Sequence, residues 1–552
     1  MICFQFDRTE SSTITTDALW RVVARDLAHL YPSVCRHILE DNKKPISSDI
    51  DRIFEWLIDR PLSTLNGVSR EELPVIVIDA LDECGGLRHD SSGKRDYEAL
   101  LRTLKHWVEV DHLKKFKLVI TSRPEDRITK TFPGSISTHV NIPSGNDVKP
   151  GDSASDDIRV FLTSKLNAMG MGEAWVREVL DYLVPRAAGM FIWATTVAGF
   201  LKKLPEKRFR TLQTKKLENN GERFKDLYSL YFTVVETSFG GDFEEEEIKG
   251  VVSVTGAMLF AKQPLNDDAL IMLPEVESRD MLRLIREGLV SVIESGPILH
   301  FHHRSFEDFL LSESFRQKLL KFSTVQDRNR HERQLAVLCL NTMASPKLHF
   351  NMCDLKSSSI RNIDVKSTIP LQVSYSCQFW ADHFVHTPSE DQFMEAVKFV
   401  IHEKLLFWME VMSVLGKAHE MFGILTKALA WPGLTVCPQI VYCNTCLMVG
   451  DQTLDPDDEL TSFIRDALRF ISAFFVPISE SAPHIYLSAL PFSPECSLVA
   501  DKFCSRFPNT LKVIEGRPVQ WPMTIFTAEH HSRMDSVKCI AFSPDEKTFA
   551  SI

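Results

Sequence analysis

"LPVIVIDALDECGG", Leu73 to Gly86, carries the reading of the fold. A run of β-formers ends abruptly in Asp79, with Asp82 and Glu83 close behind. A carboxylate at the end of a buried strand needs a partner, because burying it unpaired costs several kcal/mol or changes its protonation. A strand ending in Asp and followed by a second acidic pair suits Mg²⁺-nucleotide chemistry. The first Asp orders the ion's waters against the β- and γ-phosphates, and a later carboxylate orients or deprotonates the attacking water. The next apolar run, "FKLVITSRP", ends in Arg123, a fixed cation beside the place where phosphate charge would develop. A plain salt bridge from Arg123 to Asp79 or Glu83 accounts for the same residue types.

Working outward, "ICFQF" (Ile2 to Phe6) reads as a short buried strand. "TDALWRVVARDLAHLYPSVCRHIL" follows with helical spacing, Thr16 or Asp17 serving as N-cap. "IFEWLI" (helix), "VIVIDA" (strand), "YEALLRTLKHWVEV" (helix) and "FKLVITSRP" (strand) continue the alternation. Strands alternating with helices predict one parallel sheet, covered on both faces, that holds Ile2–Phe6, Val75–Ile78 and Leu118–Ile120. Its ligand end is where the strands' carboxyl ends meet the loops, the location of Asp79, Asp82 and Arg123.

Past a polar linker, "NIPSGNDVKPGDSAS", the pattern turns helical. Asp156 to Ala168 and Glu173 to Leu183 read as two helices, followed by the apolar "GMFIWATTVAGFLKKL". The acidic run "DFEEEEIKG" reads as a solvated helix start, where negative charge suits the helix dipole. From there to "HFHHRSFEDFLLS" the order is three helices, short strands around "LVSVIESGPILHFHH", and a helix, the outline of a winged helix. Residues 325–505 are mainly helical and show no repeat. "DSVKCIAFSPDEKTFASI" (Asp535 to Ile552) reads as strand, turn, strand.

A chain of 552 residues exceeds one hydrophobic core, so roughly three to five domains are expected. The formal net charge of −11 argues against a general nucleic-acid binder, since neutralising phosphates needs a basic face. Twelve cysteines in so long a chain are dilute and unevenly spaced, which reads as reduced cytosolic thiols. Cys437, Cys443 and Cys446 form the tightest group, with one C-x-x-C and no matching second pair, a weak zinc signal. No signal peptide opens the chain; "AAGMFIWATTVAGFL" is too short to span a bilayer and Trp431 to Gly450 is broken by two prolines. These features predict a cytoplasmic protein without membrane or nucleic-acid partners.

"VIVIDALDEC", "FKLVITSRPEDRI", "AAGMFIWATTVAGFL", "HHRSFEDFLLS", "SYSCQFWADHF", "DALRFISAFF" and "SAPHIYLSALPFSPECS" together resemble fungal NACHT-type signal-transducing ATPases, relatives of NOD-like receptors. "VKCIAFSPDEKTFASI" is similar to the opening of a WD-type propeller blade. The resemblance covers nearly the whole chain, in the family's order. It implies an incomplete α/β parallel-sheet P-loop-NTPase-like domain over residues 1–148. A helical domain over 149–236, a winged helix over 237–320, a second helical domain over 321–510, and a linker with a partial WD repeat over 511–552 would follow. It implies Mg²⁺ with ATP or GTP as cofactor, and homo- or hetero-oligomers of NACHT proteins, with other proteins, as partners. Carried over by position, Asp79 is the Mg²⁺ residue of the Walker B strand, and Asp82 and Glu83 its acidic partners, Glu83 foremost as the catalytic carboxylate. Arg123 matches the sensor arginine, and His303 the winged-helix histidine that contacts the β-phosphate of bound diphosphate, with His302 as the neighbouring register; a capping or core histidine accounts for His303 as well.

One departure from the family is large. No G-x-x-x-x-G-K-[ST] occurs in these residues, and that loop supplies most of the grip on the phosphates. The family's loop lies just before a strand like "ICFQFDR", so the first strand, the loop, its helix and any effector domain are expected to be missing, and the propeller to stop within one blade. Three to five lost contacts at roughly 1.5–3 kcal/mol each predict poor nucleotide binding. Two functions follow: a nucleotide-dependent signalling switch for self/non-self recognition or defence, and a non-catalytic interaction fragment or truncated gene product that associates with intact relatives. A winged-helix DNA binder is disfavoured, because residues 240–312 start acidic and carry no basic recognition helix.

Overall fold

The computed structural model describes residues 1–6, 16–41, 50–65, 73–84, 91–123, 125–134, 137–140, 153–214, 225–241, 243–276, 278–294, 296–387, 391–431, 459–521, 540–542 and 549–551. These form two compact units. The first is Met1–Asp242 with Met258–Pro264 and Ile285–Phe315; the second is Phe243–Ala257 with Leu265–Leu284 and Arg316–Ile552. Of the expected linker over residues 141–155, residues 141–152 lie outside the described residues and Ser153–Ser155 belong to a helix; the turn "SPDEK" and the cysteine group Cys437, Cys443 and Cys446 also lie outside the described residues.

In the first unit, β1 (Ile2–Gln5), β2 (Ile76–Asp79) and β3 (Leu118–Ile120) form one parallel sheet in the order β1-β2-β3. The register sets Ile2 beside Ile76 and Ile76 beside Leu118. Thus the three apolar runs share a sheet, as their alternation with helices predicts. The expected cover on both faces is corrected. Ile2, Phe4, Ile76 and Ile78 are buried, whereas Cys3 and Gln5 are exposed and Val119, on the same face as Cys3, is 46% exposed. The cause is topological. Right-handed crossovers that all step the same way along a sheet put their helices on the same face.

That covered face receives helix α1 (Thr16–Leu30) and helix α2 (Ser91–Glu109). Leu19, Trp20, Val23 and Leu27 of α1, and Leu100, Leu104 and Trp107 of α2, join the strands in one core. The rings of Trp20 and Trp107 stack at 5.7 Å, and Phe54 meets Trp20 edge-on at 4.7 Å. Such aromatic pairs are worth about 0.5–1.5 kcal/mol beyond their buried area. The indole N–H of Trp20 donates to Thr103 Oγ1 at 3.0 Å, so that buried donor is satisfied.

The two helices expected after the linker span Ser153–Asn167 and Glu173–Ala187. Ala188 and Gly189, at φ 44° and 73°, end the second in left-handed backbone and start α3 (Phe191–Leu201). This apolar stretch is a core helix that buries Trp193, Thr196, Val197, Phe200 and Leu201. Among the described residues no helix is long and apolar enough to cross a membrane. Helix α4 (Lys225–Phe239) follows. Among the described residues an isolated antiparallel bridge, Ile293 to Phe301, stands where short strands were expected, and leads into α5 (Arg304–Leu310).

Among the described residues of the second unit the regular elements are helices and two short strands, β4 (Ile540–Phe542) and β5 (Phe549–Ser551), which pair antiparallel. The acidic run opens helix Glu245–Phe260 with Glu245, Glu246 and Glu247 in its first turn; Glu245 is exposed and pairs with Lys249 at 2.9 Å, the solvated start that was expected. Helices α6 (Arg328–Ala344) and α7 (Leu371–Phe384) bury a polar contact, His383 Nδ1 to Glu332 Oε2 at 2.5 Å. Every cysteine among the described residues whose state is defined (Cys3, Cys35, Cys84, Cys339, Cys353, Cys377, Cys496 and Cys504) is a free thiol.

Candidate functional site

The end of β2 is built by a local clamp. After Asp79 the chain turns through Ala80 in left-handed backbone (φ 55°, ψ 48°) into the short 3₁₀ turn Leu81–Glu83. For a non-glycine residue that conformation costs about 1–2 kcal/mol. Thr121, just past β3, secures it. Its Oγ1 accepts from the Ala80 N–H at 3.0 Å and donates to the Asp79 carboxylate, and its carbonyl accepts from the Leu81 N–H at 3.0 Å. Asp79 therefore has one oxygen fixed; the other has no hydrogen-bond partner among the described residues.

Asp82 is differently placed. Its side chain is only 5% exposed. Oδ1 accepts from the Arg123 N–H at 3.1 Å and from the Ser122 hydroxyl at 3.3 Å. Oδ2 lies 3.5 Å from Arg123 Nε and 3.6 Å from Arg304 Nη1. The guanidinium of Arg123 reaches onward, donating from Nη1 to Asp308 Oδ2 at 3.0 Å. Arg304 donates to the backbone carbonyl of Asp82 at 2.8 Å and pairs with Glu125 at 3.5 Å and Asp308 at 3.9 Å. So the salt bridge expected from Arg123 to Asp79 or Glu83 is corrected: Arg123 pairs with Asp82 and Asp308. The 3₁₀ turn accounts for this, because it carries Asp82 toward the end of β3 while Thr121 holds Asp79. Glu83 is half-buried at the close of the turn.

His303 enters from α5, where it is the N-cap. Its Nδ1 accepts from the Ser305 N–H at 3.1 Å and from the Ser305 hydroxyl at 2.7 Å, and Ser305 Oγ in turn accepts from the Tyr231 hydroxyl at 2.7 Å. With Nδ1 accepting, the neutral ring carries its proton on Nε2. Burial first, and the Arg123 guanidinium second, push the His303 pKa down to about 4; Asp308 and Asp82 oppose this. His302 is turned elsewhere: burial lowers its pKa, and the charges acting on it are Glu294 and His300. Of the two registers, His303 is the one beside Arg123. Phe306 and Phe309 seat α5 against Tyr231 at 4.9 and 5.4 Å between ring centroids.

The residues suit only part of a metal site. Among the described residues no group of three or more His, Cys, Asp or Glu side chains could hold a cation. Mg²⁺ on a nucleotide, however, needs only one or two carboxylates besides the phosphates. Asp79, with one oxygen unengaged, fits that role; Asp82, with both oxygens occupied, does not.

Several residues here escape sequence reasoning. Thr121 and Ser122 stand inside the quoted "VITSRP", but their contacts depend on the turn across from them. Arg304 and Asp308 form an i, i+4 pair of opposite charge, which reads as an ordinary solvated helix face. Tyr97 of α2 is buried with its hydroxyl unpartnered. Its pKa is raised by burial and then by Glu125, Cys84 and Asp82, so it too belongs to this strand end.

No curated protein matches the chain. Residues 1–123 match the family model of the N-terminal domain of Nephrocystin 3, a domain found in NACHT-like proteins. The matched stretch holds all three strands of the parallel sheet and ends at Arg123.

Proposed function

We propose that this chain is a NACHT-type, nucleotide-dependent signalling switch of the fungal NOD-like receptor kind, with weak nucleotide binding. One observation carries the reading: Asp79, Arg123 and His303 gather at the carboxyl end of a parallel sheet, and Asp79 keeps an unengaged oxygen. In this reading Asp79 holds Mg²⁺ bound to ATP or GTP, and the ion neutralises phosphate charge. Glu83 orients water, while Arg123 and the Nε2–H of His303 meet phosphate oxygens. Residues 237–320 act as a winged helix that moves with the nucleotide state, and residues 535–552 open a WD blade. NACHT partners assemble with it in the cytoplasm.

A second reading, a non-catalytic interaction module, is favoured by one specific observation. Arg123 and Asp82 are already committed to each other and to α5. Equilibrium titration of the full chain with Mg²⁺-ATP and Mg²⁺-GTP separates the two. Saturable binding that Asp79→Ala abolishes supports the switch; absence of binding leaves the interaction module.

A further inference from the structure

Arg304 and Asp308 stand four residues apart on α5, so one helical turn presents both to the end of β2. They pair crosswise, Arg304 with Asp82 and Glu125, Asp308 with Arg123. Shifting α5 toward the opposite pairing would set arginine against arginine and aspartate against aspartate, so the pairs fix position as well as contact. We propose that Arg304 and Asp308 form an ionic latch that holds α5, with His303 at its head, against the end of β2 and reserves Asp82 and Arg123 from other ligands. Only the last clause, what is excluded, rests on the nucleotide reading; the holding rests on the ion pairs alone.

Two features make this arrangement releasable. Arg123, Asp308, Arg304 and Glu125 are 31%, 42%, 25% and 34% exposed in their side chains, within reach of screening by salt. Asp82, at 5%, is the buried charge they compensate. In addition, Arg304 Nε is buried with no acceptor in hydrogen-bond range, so the closed network is incompletely satisfied. Opening returns that N–H to water and offsets part of the loss of the pairs.

Hydrogen exchange on the full chain tests the latch, read at the amides of Asp308 to Leu311 with those of β2 as internal reference. Asp308→Asn is expected to speed exchange of the α5 amides roughly tenfold while β2 is unchanged, as loss of several partly exposed pairs implies. Raising salt from about 0.05 to about 0.5 M, which shortens screening to a few ångströms, should do the same to the wild type and little to the variant. Arg304→Gln should behave as Asp308→Asn does. Unchanged α5 exchange under salt overturns the latch, and this arm decides alone if a variant fails to fold. Mg²⁺-tripolyphosphate then probes the exclusion, with tighter binding expected in Asp308→Asn than in the wild type. Equal binding by both removes the exclusion. Binding by neither sinks the nucleotide reading, and the exchange data still decide the latch.

Discussion

Arg304 donates from Nη1 to the backbone carbonyl of Asp82 at 2.8 Å, joining residues 222 apart in sequence. A carbonyl in a 3₁₀ turn and the buried carboxylate beside it are thus served by one guanidinium. Arg304→Ala should lower the unfolding free energy of the first unit by about 2–3 kcal/mol, because a buried polar group and part of a charge pair lose their partner. Arg304→Lys keeps the charge but not the planar fork, and should recover about half. The shift in urea midpoint at constant slope measures both.

The Thr121 clamp makes a second, independent prediction. Thr121→Val keeps the shape but removes the group that accepts from Ala80 and donates to Asp79, with an expected loss of about 1–3 kcal/mol. Thr121→Ser should be nearly neutral. Ala80→Gly relieves left-handed strain of about 1–2 kcal/mol against a glycine entropy term of about 0.5–1 kcal/mol, so a small gain in melting temperature is expected.

In the second unit the decisive glycine is Gly256. A Cβ there would fall 2.1–2.3 Å from the imidazole atoms of His331. That ring cannot retreat easily, being buried and held by the Thr324 carbonyl at 3.1 Å and Gln334 at 3.2 Å. Gly256→Ala should destabilise by about 1–3 kcal/mol through overpacking. Adding His331→Ala should restore part of the loss; a strictly additive double variant would contradict the contact.

The parallel sheet was legible because each strand is an apolar run and two of them end in a charge, Asp79 and, a few residues on, Arg123. Its bare face was not, because cover depends on the order of strands, and nothing in "ICFQF" or "FKLVITSRP" states that order. The choice between His302 and His303 was likewise closed to spacing, since adjacent residues after a hairpin differ only in which side they face. Least legible were the partners of Arg123. Asp308 lies 185 residues away, and Asp82 was hidden among three acids that look equivalent in sequence but differ once Thr121 takes one and a 3₁₀ turn aims another.

His303 gives a pH dependence with a definite sign. Its folded pKa, about 4, lies below the ordinary value of 6.5, so between these the unfolded chain binds more protons. The stability associated with the neutral ring is therefore complete above pH 6.5 and lost as pH falls toward 4. The charges facing the ring are Arg123, Asp308 and Asp82. His303→Gln should flatten the wild-type decline in urea midpoint across that window; an unchanged slope would mean that His303 is not a source of it.

The last expectation concerns hydrolysis. Purified residues 1–552 should show no Mg²⁺-dependent release of phosphate from ATP or GTP above a Glu83→Gln control. Phosphoryl transfer needs little covalent help from protein; positioning and charge stabilisation supply nearly all of the acceleration. Backbone N–H groups and a lysine in a phosphate loop ordinarily provide most of both, and these residues contain no G-x-x-x-x-G-K-[ST]. The groups that remain are partly engaged. Arg123 is shared between Asp82 and Asp308, so meeting a γ-phosphate requires giving up at least one carboxylate. Asp82 has both oxygens occupied, which removes it as a base. Asp79 and Glu83 are left to hold an ion and a water around a phosphate that little else grips. Turnover that Glu83→Gln and Asp79→Ala both abolish would overturn this, and would require other side chains of this chain to have taken over the phosphate grip.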